Sequence, residues 1–412
     1  MSILFKNIKE LIQVREDGKR FLSGIEMKEL PTIKNAYLIV EEGRILDYGS
    51  MENLPNSEYA DVVDAKGKMI LPCWCDSHTH IVYAGNREGE FVDRINGLTY
   101  QEIAEKGGGI LNSAKNLQSA SESTLVEESS KRLEEVIRQG TGAIEIKSGY
   151  GLTVESEMKI LRVIRALKKE YPVKVKASFL GAHAFPEKYK DNKDGYIDLL
   201  INDLLPLIHD EQLAEYIDVF CEKGYFSVED TERILVAGKD YGLIPKIHVN
   251  QFNSIGGVQI GVQHNALSVD HLEIMKEADL EALVGTQTMP VALPACSHFL
   301  SIAYTPARTM IDRGLPIALA SDYNPGSSPT GNMNFIVAEA CIKMKMTPEE
   351  AINAATLNGA YAMGVENELG SITKGKIANL IITKEINSYA FMPYEFASNH
   401  IDKVYINGKE FT

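Results

Sequence analysis

The hydrophobic pattern at the two ends of the chain predicts short β-strands. Near the start, the β-prone run 36–40 (AYLIV) is followed by a charged turn, and the chain then runs back out through Ile45–Tyr48. The C-terminal part repeats this style, with an apolar run at Leu380–Ile382 and a turn after Val404–Ile406. We therefore predict one small β-sandwich domain, and its segments are residues 1–68 and 368–412.

The middle of the chain alternates between β-type and helix-type patterns. Helix-like stretches, including Ser123–Arg138, Val154–Lys169, Val228–Ala237 and Glu349–Met363, separate eight apolar runs, at about 69–80, 142–150, 173–185, 216–226, 244–252, 266–273, 286–293 and 316–326. Alternating β and α units imply a parallel sheet, and eight of them fit a closed (β/α)₈ barrel of the TIM type over residues 69–367. An open doubly wound sheet is the alternative, but no Gly-x-Gly-x-x-Gly pattern follows the first strand.

The net charge of the chain indicates which classes of binding partner it disfavours. The 412 residues include 42 Lys and Arg against 57 Asp and Glu, a net charge of −15, which disfavours nucleic acid and anionic membranes as partners. A small anionic substrate would need a local positive charge. Five scattered cysteines do not suggest a disulfide scaffold, and the sequence contains neither a recognisable leader peptide nor an apolar run of bilayer length. We expect a cytoplasmic protein.

Histidines gather where the predicted strands end. His78 and His80 close the first run, and residues two apart on a strand point to the same face, so both imidazoles can bind one metal ion. Further candidates at such ends are His183, His248, His271 and Asp322. In a barrel these ends meet at the face where barrel enzymes have their active sites.

Three nitrogens and one oxygen form the most consistent ligand set, which is His78, His80, His248 and Asp322. This set suits one Zn²⁺ or Fe²⁺ ion and leaves room for a water molecule, whose pKa such an ion lowers toward about 7. His271 would then be a neighbouring acid or base. For His183, considered alone, structural and functional roles are equally consistent with the sequence.

Other metal arrangements fit less well. Cys73 and Cys75 would lie on the opposite face of the strand from the two histidines, because side chains alternate along a strand. Glu222 could bridge to a second metal, but a hydrogen-bonding role within the site is simpler. Lys147 is on the wrong strand to be a bridging carboxylated lysine.

Six segments, HTHIVYAGNREGEF, IEIKSGYGL, LGAHAFP, HVNQFNSIGG, VDHLE and SDYNPGSSPTGNM, resemble the imidazolonepropionase family of the amidohydrolase superfamily. The resemblance extends to GSITKGKIANLII and so covers nearly the whole chain. It implies a metal-dependent (β/α)₈ barrel with a small β-sandwich made from both termini. The implied activity is hydrolysis of 4-imidazolone-5-propanoate to N-formimidoyl-L-glutamate, the third step of histidine degradation, by a protein that is commonly a homodimer.

The resemblance also implies roles for individual residues. Metal ligands would be His78, His80, His248 and Asp322, for one Zn²⁺ or Fe ion. Substrate contacts would be Arg87, Tyr150, His183, Gln251, Asn324, Gly326 and Ser327, with Arg87 holding the substrate carboxylate. His271 and Asp322 would move the proton, and His183 would bind or polarise the carbonyl oxygen. The chain departs from the family pattern at LPCWCDSHTH and at Val249-Asn250, but every proposed ligand is present.

Two alternatives remain open at this stage. One is a related hydrolase or deaminase that acts on another cyclic amide or amidine. The set Arg87, Tyr150 and Asn324–Ser327 argues against it, because a pyrimidine deaminase has no carboxylate tail to bind. The other is a non-catalytic barrel that has lost its metal, and the presence of all candidate ligands argues against that.

Overall fold

Both ends of the chain contribute to one mixed sheet. The computed structural model describes residues 2–16, 18–99, 102–103 and 106–412. The sheet has eight strands. They are β1 (Ser2–Ile12), β2 (Thr32–Glu41), β3 (Arg44–Ser50), β4 (Asp61–Asp64) and β5 (Met69–Pro72), together with β14 (Leu380–Thr383), β15 (Ile401–Ile406) and β16 (Lys409–Glu410).

Strand β1 is the centre of this terminal sheet. It pairs along its length with β2, while its first half pairs with β4 and its second half with β5, on either side of a bulge between Phe5 and Ile8. On its other edge β5 pairs with β14, which joins the two ends of the chain. The sheet curls, so that the rings of Phe5 and Tyr405 meet edge to face at 5.0 Å although their strands are not neighbours. The expected β-sandwich is therefore one curled sheet around a small core.

Successive side chains of a strand point to opposite faces of the sheet, and this alternation explains how the terminal sheet packs on the rest of the chain. Ile70 and Leu380 point into its own core, whereas Met69, Leu71 and Ile381 point to the opposite face and join the main hydrophobic core. Met69–Pro72 thus belongs to the terminal sheet. The expectation of one barrel strand over 69–80 is wrong in this respect, and the first barrel strand begins five residues beyond the boundary set at 69, at Trp74.

Eight parallel strands form the barrel, as predicted. They are β6 (Trp74–Thr79), β7 (Thr141–Lys147), β8 (Lys174–Ala182), β9 (Tyr216–Cys221), β10 (Ile244–Val249), β11 (Ser268–His271), β12 (Met289–Ala292) and β13 (Ala318–Leu319). Each pairs in parallel with the next in chain order. That unbroken order excludes the doubly wound alternative, whose strand order reverses.

The barrel closes between its first and last strands. The backbone of Asp322 donates to His78 O at 2.9 Å, and His80 N donates to Tyr323 O at 2.9 Å. Below these bonds the buried carboxylate of Asp76 accepts from Ser321 N at 3.0 Å and from Ser321 Oγ at 2.6 Å. One carboxylate therefore substitutes for a regular ladder at this seam.

Helices cover the outside of the barrel. They are α1 (Glu88–Ile95), α2 (Ile110–Ser119), α3 (Glu122–Arg138), α4 (Val154–Glu170), α5 (Lys193–Leu199), α6 (Leu205–Glu211), α7 (Val228–Asp240), α8 (Gly257–Gln263), α9 (Glu277–Leu283), α10 (Pro294–Leu300), α11 (Ala307–Asp312), α12 (Met333–Ile342), α13 (Pro348–Ala355), α14 (Leu357–Ala362) and α15 (Phe391–Tyr394). Thr347 caps α13 in a capping box with Glu350. The expected single helix over 349–363 is two helices, because Thr356 (φ −116°, ψ −86°) leaves the helical conformation. Among the described residues, no helix is long and apolar enough to cross a membrane.

We predict that Asp76→Ala destabilises the barrel by about 2–4 kcal/mol, because it leaves two buried donors of Ser321 without an acceptor. Trp74, the only tryptophan, is buried at the start of β6, so its fluorescence during urea unfolding reports on this seam. Asp402→Ala, which removes an ion pair with Lys68 at the surface of the terminal sheet, is the control and should change the unfolding midpoint little. Equal midpoints for the two variants would contradict the assigned role of Asp76.

Candidate metal centre and active site

The expected metal ligands converge at the carboxyl ends of the barrel strands. His78 is the second-to-last residue of β6, and His80 follows the end of that strand. His248 lies near the end of β10, and Asp322 follows β13. All four side chains are buried. Because parallel strands end at the same face, residues far apart in sequence meet here.

The spacing of the four donor atoms fits one tetrahedral ion. His80 Nε2 lies 3.3 Å from His78 Nε2 and 3.4 Å from His248 Nε2. Asp322 Oδ1 lies 3.5 Å from His80 Nε2 and 3.6 Å from His78 Nε2. Metal bonds of about 2.0–2.1 Å at tetrahedral angles place two ligand atoms about 3.3–3.4 Å apart. The observed spacings are close to this value, so the residues fit a divalent ion.

Carboxylates behind the histidines orient two of the rings. Asp270 Oδ2 lies 2.6 Å from His78 Nδ1, and Asp218 Oδ1 lies 3.0 Å from His248 Nδ1. A carboxylate keeps the proton on Nδ1, which leaves the lone pair of Nε2 for a metal. Neither aspartate was expected from the sequence. The signal was their position inside β9 and β11, where a buried charge needs a partner.

Two of the ligand histidines, His78 and His80, are uncharged at neutral pH. Burial, reinforced by Lys147 and the neighbouring imidazoles, holds the pKa of His78 well below its usual value. Burial, together with His183 and His248, lowers the pKa of His80 in the same way. Neutral imidazoles can bind a cation without first losing a proton.

His271 stands beside this centre and has a carboxylate partner. Its Nδ1 lies 3.2 Å from Glu273 Oε1, and both residues are buried. Burial lowers the pKa of His271, but Glu273 outweighs burial and the net pKa is raised. His271 has a φ of +86°, a strained value for a residue with a side chain, and Thr305 Oγ1 donates to its carbonyl oxygen at 2.7 Å. The ring is thus held in one place.

One pocket opens onto these groups. Its lining comprises His80, Arg87, Ile110, Tyr150, His183, Phe220, His248, Gln251, Phe252, His271, Leu300, Asp322, Asn324, Gly326 and Ser327. Every site residue expected from the sequence is in this lining except His78, which is fully buried with its ring 4.3 Å from that of His248. The apolar members were missed, because a buried Ile, Phe or Leu carries no sequence signal that distinguishes a pocket wall from a core.

His183 and Tyr150 form one wall. The ring of His183 stacks on that of His80 at 5.4 Å and lies 5.4 Å from that of Tyr150. Burial lowers the pKa of His183 to about 3, and its Nδ1 lies 3.1 Å from the carbonyl oxygen of Gly149. A carbonyl can only accept, so Nδ1 carries the proton and Nε2 is an acceptor in the neutral ring.

Arg87 enters the pocket from the start of α1. Its Nε and Nη2 lie 2.7 and 2.6 Å from Glu90 Oε2, and this ion pair is largely buried. A methyl group on Gly326 would overlap the Arg87 guanidinium. The ion pair on one side and a bare glycine on the other therefore fix the guanidinium.

The 322–328 loop is held by its own side chains. Asn324 Oδ1 accepts from Gly326 N and Ser327 N, each at 2.8 Å, and Asn324 Nδ2 donates to Asp322 O at 2.6 Å. Ser327 Oγ donates to Asp322 Oδ2 at 3.3 Å. Asn324 thus orders the loop, and the Gly326 N–H is already used within it.

The competing candidates have structural roles. Glu222 accepts from Phe252 N at 2.9 Å, from Asn253 N at 3.1 Å and from Asn253 Nδ2 at 2.9 Å, and so shapes the loop after β10. Cys73 packs against Gly142, and Cys75 lies in a small apolar cluster. Neither cysteine belongs to a metal-competent group of residues within the described ranges.

Comparisons with known proteins show which family the chain resembles. A family model described as the amidohydrolase family matches residues 227–411. Imidazolonepropionases from Flavobacterium johnsoniae and Christiangramia forsetii are 67% and 64% identical over 409 residues, which is 99% of this chain and 100% of each relative.

Solved structures show the same fold at low identity. A triazine hydrolase from Arthobacter aurescens aligns with a TM-score of 0.77 at 15% identity, over 99% of this chain and 94% of the other. A guanine deaminase from C. acetobutylicum aligns with a TM-score of 0.71 at 16% identity, over the full length of both. These matches show the fold alone, whereas the two relatives above, together with the family model, show the family: the chain belongs to the amidohydrolase family and, within it, to the imidazolonepropionases.

Proposed function

We propose that this chain opens the cyclic amide of 4-imidazolone-5-propanoate and yields N-formimidoyl-L-glutamate, the third step of histidine degradation, in a metal-dependent hydrolysis. The observation that carries the proposal is a set of four donor atoms, joined by four spacings of 3.3–3.6 Å, beside a pocket that also contains an arginine. It gains weight from relatives that bear the name imidazolonepropionase. The substrate proposed is a small anion, in a cytoplasmic enzyme that we propose to be a homodimer.

The metal would be held by His78, His80, His248 and Asp322. One divalent ion bound there supplies a Lewis acid for the amide carbonyl and a water molecule of lowered pKa. Three neutral nitrogens and one carboxylate oxygen accommodate Zn²⁺ and Fe²⁺, and we propose that either supports the reaction.

Asp322 and His271 divide the proton transfer. The pKa of His271, lowered by burial but raised more by Glu273 and the nearby aspartates, favours the protonated ring, so His271 is suited to give a proton to the leaving ring nitrogen. Nδ1 is engaged with Glu273, which leaves Nε2 as the donating atom. Asp322 then accepts the proton from the attacking water. Glu273 joins the expected set as the residue that holds His271.

His183 has a different role from the one expected. Its Nδ1 proton points to Gly149 O, so the neutral ring offers only the lone pair of Nε2 to a ligand. We propose that His183 accepts a hydrogen bond from a ring N–H of the substrate. The Tyr150 hydroxyl, in the same wall, can instead donate a hydrogen bond to the carbonyl oxygen.

The carboxylate tail of the substrate binds at Arg87. The planar guanidinium offers paired donors for a carboxylate, and its position is fixed by Glu90 and by the bare backbone of Gly326. Ser327, Asn324 and Gln251 complete the polar lining. Arg87 thus supplies the local positive charge that an anionic substrate needs in order to bind to a chain with a net charge of −15.

His248→Ala should remove the metal. Loss of one ligand out of four lowers the metal content, measured by mass spectrometry of the purified protein, from about one ion per chain to near zero, and activity falls with it. His209→Ala is the control, because His209 is exposed on α6 and its ring contacts only the Tyr241 region. A fully metallated His248→Ala protein would refute the ligand set.

Gly326→Ala should weaken substrate binding without removing any polar group. The new methyl displaces the Arg87 guanidinium, so KM for 4-imidazolone-5-propanoate should rise by about tenfold or more while the metal content stays unchanged. Gly89→Ala, in the first turn of α1 with open space around its Cβ position, is the matched control. Unchanged KM in Gly326→Ala would exclude the arginine clamp.

Arg87→Lys separates charge from geometry in the same clamp. Lysine keeps the positive charge but lacks the planar fork, so KM should rise by about 10–100-fold, with a smaller effect on kcat. Arg233→Lys, at an exposed ion pair on α7, should leave both constants unchanged. If kcat falls and KM does not, Arg87 contributes to the chemical step and not to tail binding.

A further inference from the structure

Five charged side chains lie buried in the barrel behind the metal centre. They are Glu145, Lys147, Asp218, Lys246 and Asp270, and none has an exposed side chain. They come from β7 and from the three consecutive strands β9, β10 and β11. With two ammonium groups and three carboxylates, the charge of the fully ionised cluster is 2 − 3 = −1. Burying such ions costs several kcal/mol each unless each has a partner.

Lys147 is the branching point of this cluster. Its Nζ lies 2.6 Å from Glu145 Oε1, 2.7 Å from Asp218 Oδ2 and 3.6 Å from Asp270 Oδ2. Burial lowers the pKa of Lys147, but the surrounding carboxylates, Asp218 first, outweigh burial and raise it. The ammonium therefore stays charged.

Two of these carboxylates are the ones that orient metal ligands. Asp218 uses its other oxygen, Oδ1, to hold His248 Nδ1 at 3.0 Å. Asp270 holds His78 Nδ1 at 2.6 Å through Oδ2, the oxygen that also faces Lys147. A continuous chain of contacts thus runs from His248 through Asp218, Lys147 and Asp270 to His78.

We propose that Lys147 is a positioning residue of the metal centre, which ties Asp218 to Asp270 so that His248 and His78 present their Nε2 atoms to one ion. The proposal rests on the metal site proposed above. It gives a role to Lys147, whose position on β7 is unsuitable for a lysine that bridges two metal ions directly.

Lys246 provides a matched comparison within the same cluster. It pairs with Glu145, and it also donates to Ser77 O at 3.2 Å and to Ala362 O at 2.9 Å. Within the described part of the chain it makes no hydrogen bond to Asp218 or Asp270, although its charge, like that of Lys147, acts to lower the pKa of Asp270. Lys246→Met therefore removes a buried positive charge that also acts on Asp270, but it leaves the contacts of Lys147 with Asp218 and Asp270 in place.

Two effects of Lys147→Met oppose each other. Loss of a buried positive charge by itself favours a divalent cation, and Lys246→Met measures that contribution. Loss of the bridge leaves Asp218 and Asp270 buried without a shared partner, so they no longer hold both rings in place. Disturbing the residues that orient metal-binding histidines typically weakens metal binding by about 10–100-fold.

The test compares Zn²⁺ affinity of the metal-free wild type, Lys147→Met and Lys246→Met by competition with a chromogenic chelator. We expect Lys147→Met to bind Zn²⁺ at least about tenfold more weakly than Lys246→Met, and its Co²⁺-substituted form to show a changed visible absorption spectrum because the ligand geometry is altered. Affinities of the two variants within about threefold of each other, with unchanged spectra, would overturn the proposal.

Two further comparisons keep the result unambiguous. If Lys147→Met does not fold, Lys147→Gln and Lys246→Gln give the same test, since glutamine retains a donor but carries no charge. A wild type that takes up no Zn²⁺ or Co²⁺ would refute the metal site of the proposed function. If the wild type takes up metal and the two lysine variants bind it with equal affinity, only the proposed bridge from Asp218 through Lys147 to Asp270 is refuted.

Discussion

The metal centre depends on closure of the barrel between its first and last strands. His78 and His80 end one of these strands and Asp322 follows the other, and two backbone hydrogen bonds of 2.9 Å join them directly. The Asp76 carboxylate secures the same seam from below. Ligands from opposite ends of the barrel sequence therefore reach one ion only when the segment after the eighth strand is joined to the end of the first. Closure of the barrel thus brings the site together.

Closure also removes water, and this determines how the charges in the site behave. In the dry interior, imidazoles lose their affinity for protons and become good ligands, as the lowered pKa of His78 and His80 shows. At His271, Glu273 lies 3.2 Å from Nδ1 and the net pKa is raised, whereas at His78 the Asp270 carboxylate, 2.6 Å from Nδ1, does not outweigh burial and the charge of Lys147. Two chemically identical side chains thus differ in proton affinity through the balance of burial and neighbouring charges, so that one kind is suited to bind a cation and the other to hold a proton.

The sequence predicted the barrel and the polar residues of the site better than it predicted the start of the first barrel strand and the apolar wall of the pocket. Alternation of strands and helices predicted the barrel, and the clustering of histidines at strand ends predicted the histidines of the site, whereas the family resemblance supplied the other polar residues of the lining. The strand over 69–80 was expected to be one element, but its first part pairs with β1 and β14. Apolar residues at 69–72 are buried in either sheet, so hydrophobicity alone cannot distinguish the two positions. Similarly, Phe220 and Leu300 look like core residues until the pocket is seen.

The sequence by itself determined the fold class, the family motifs and the identity of the candidate ligands, because period, residue type and spacing are local properties. Only the tertiary structure decided which groups share a proton. The contacts of Asp218 with His248, of Asp270 with His78 and of Gly149 with His183 join residues 30, 192 and 34 positions apart. Such pairs depend on how neighbouring strands align, and the resulting distances set tautomer, charge and direction of each hydrogen bond. That is why we propose an acceptor role for His183 in place of the expected donor role, while its place in the pocket is the expected one.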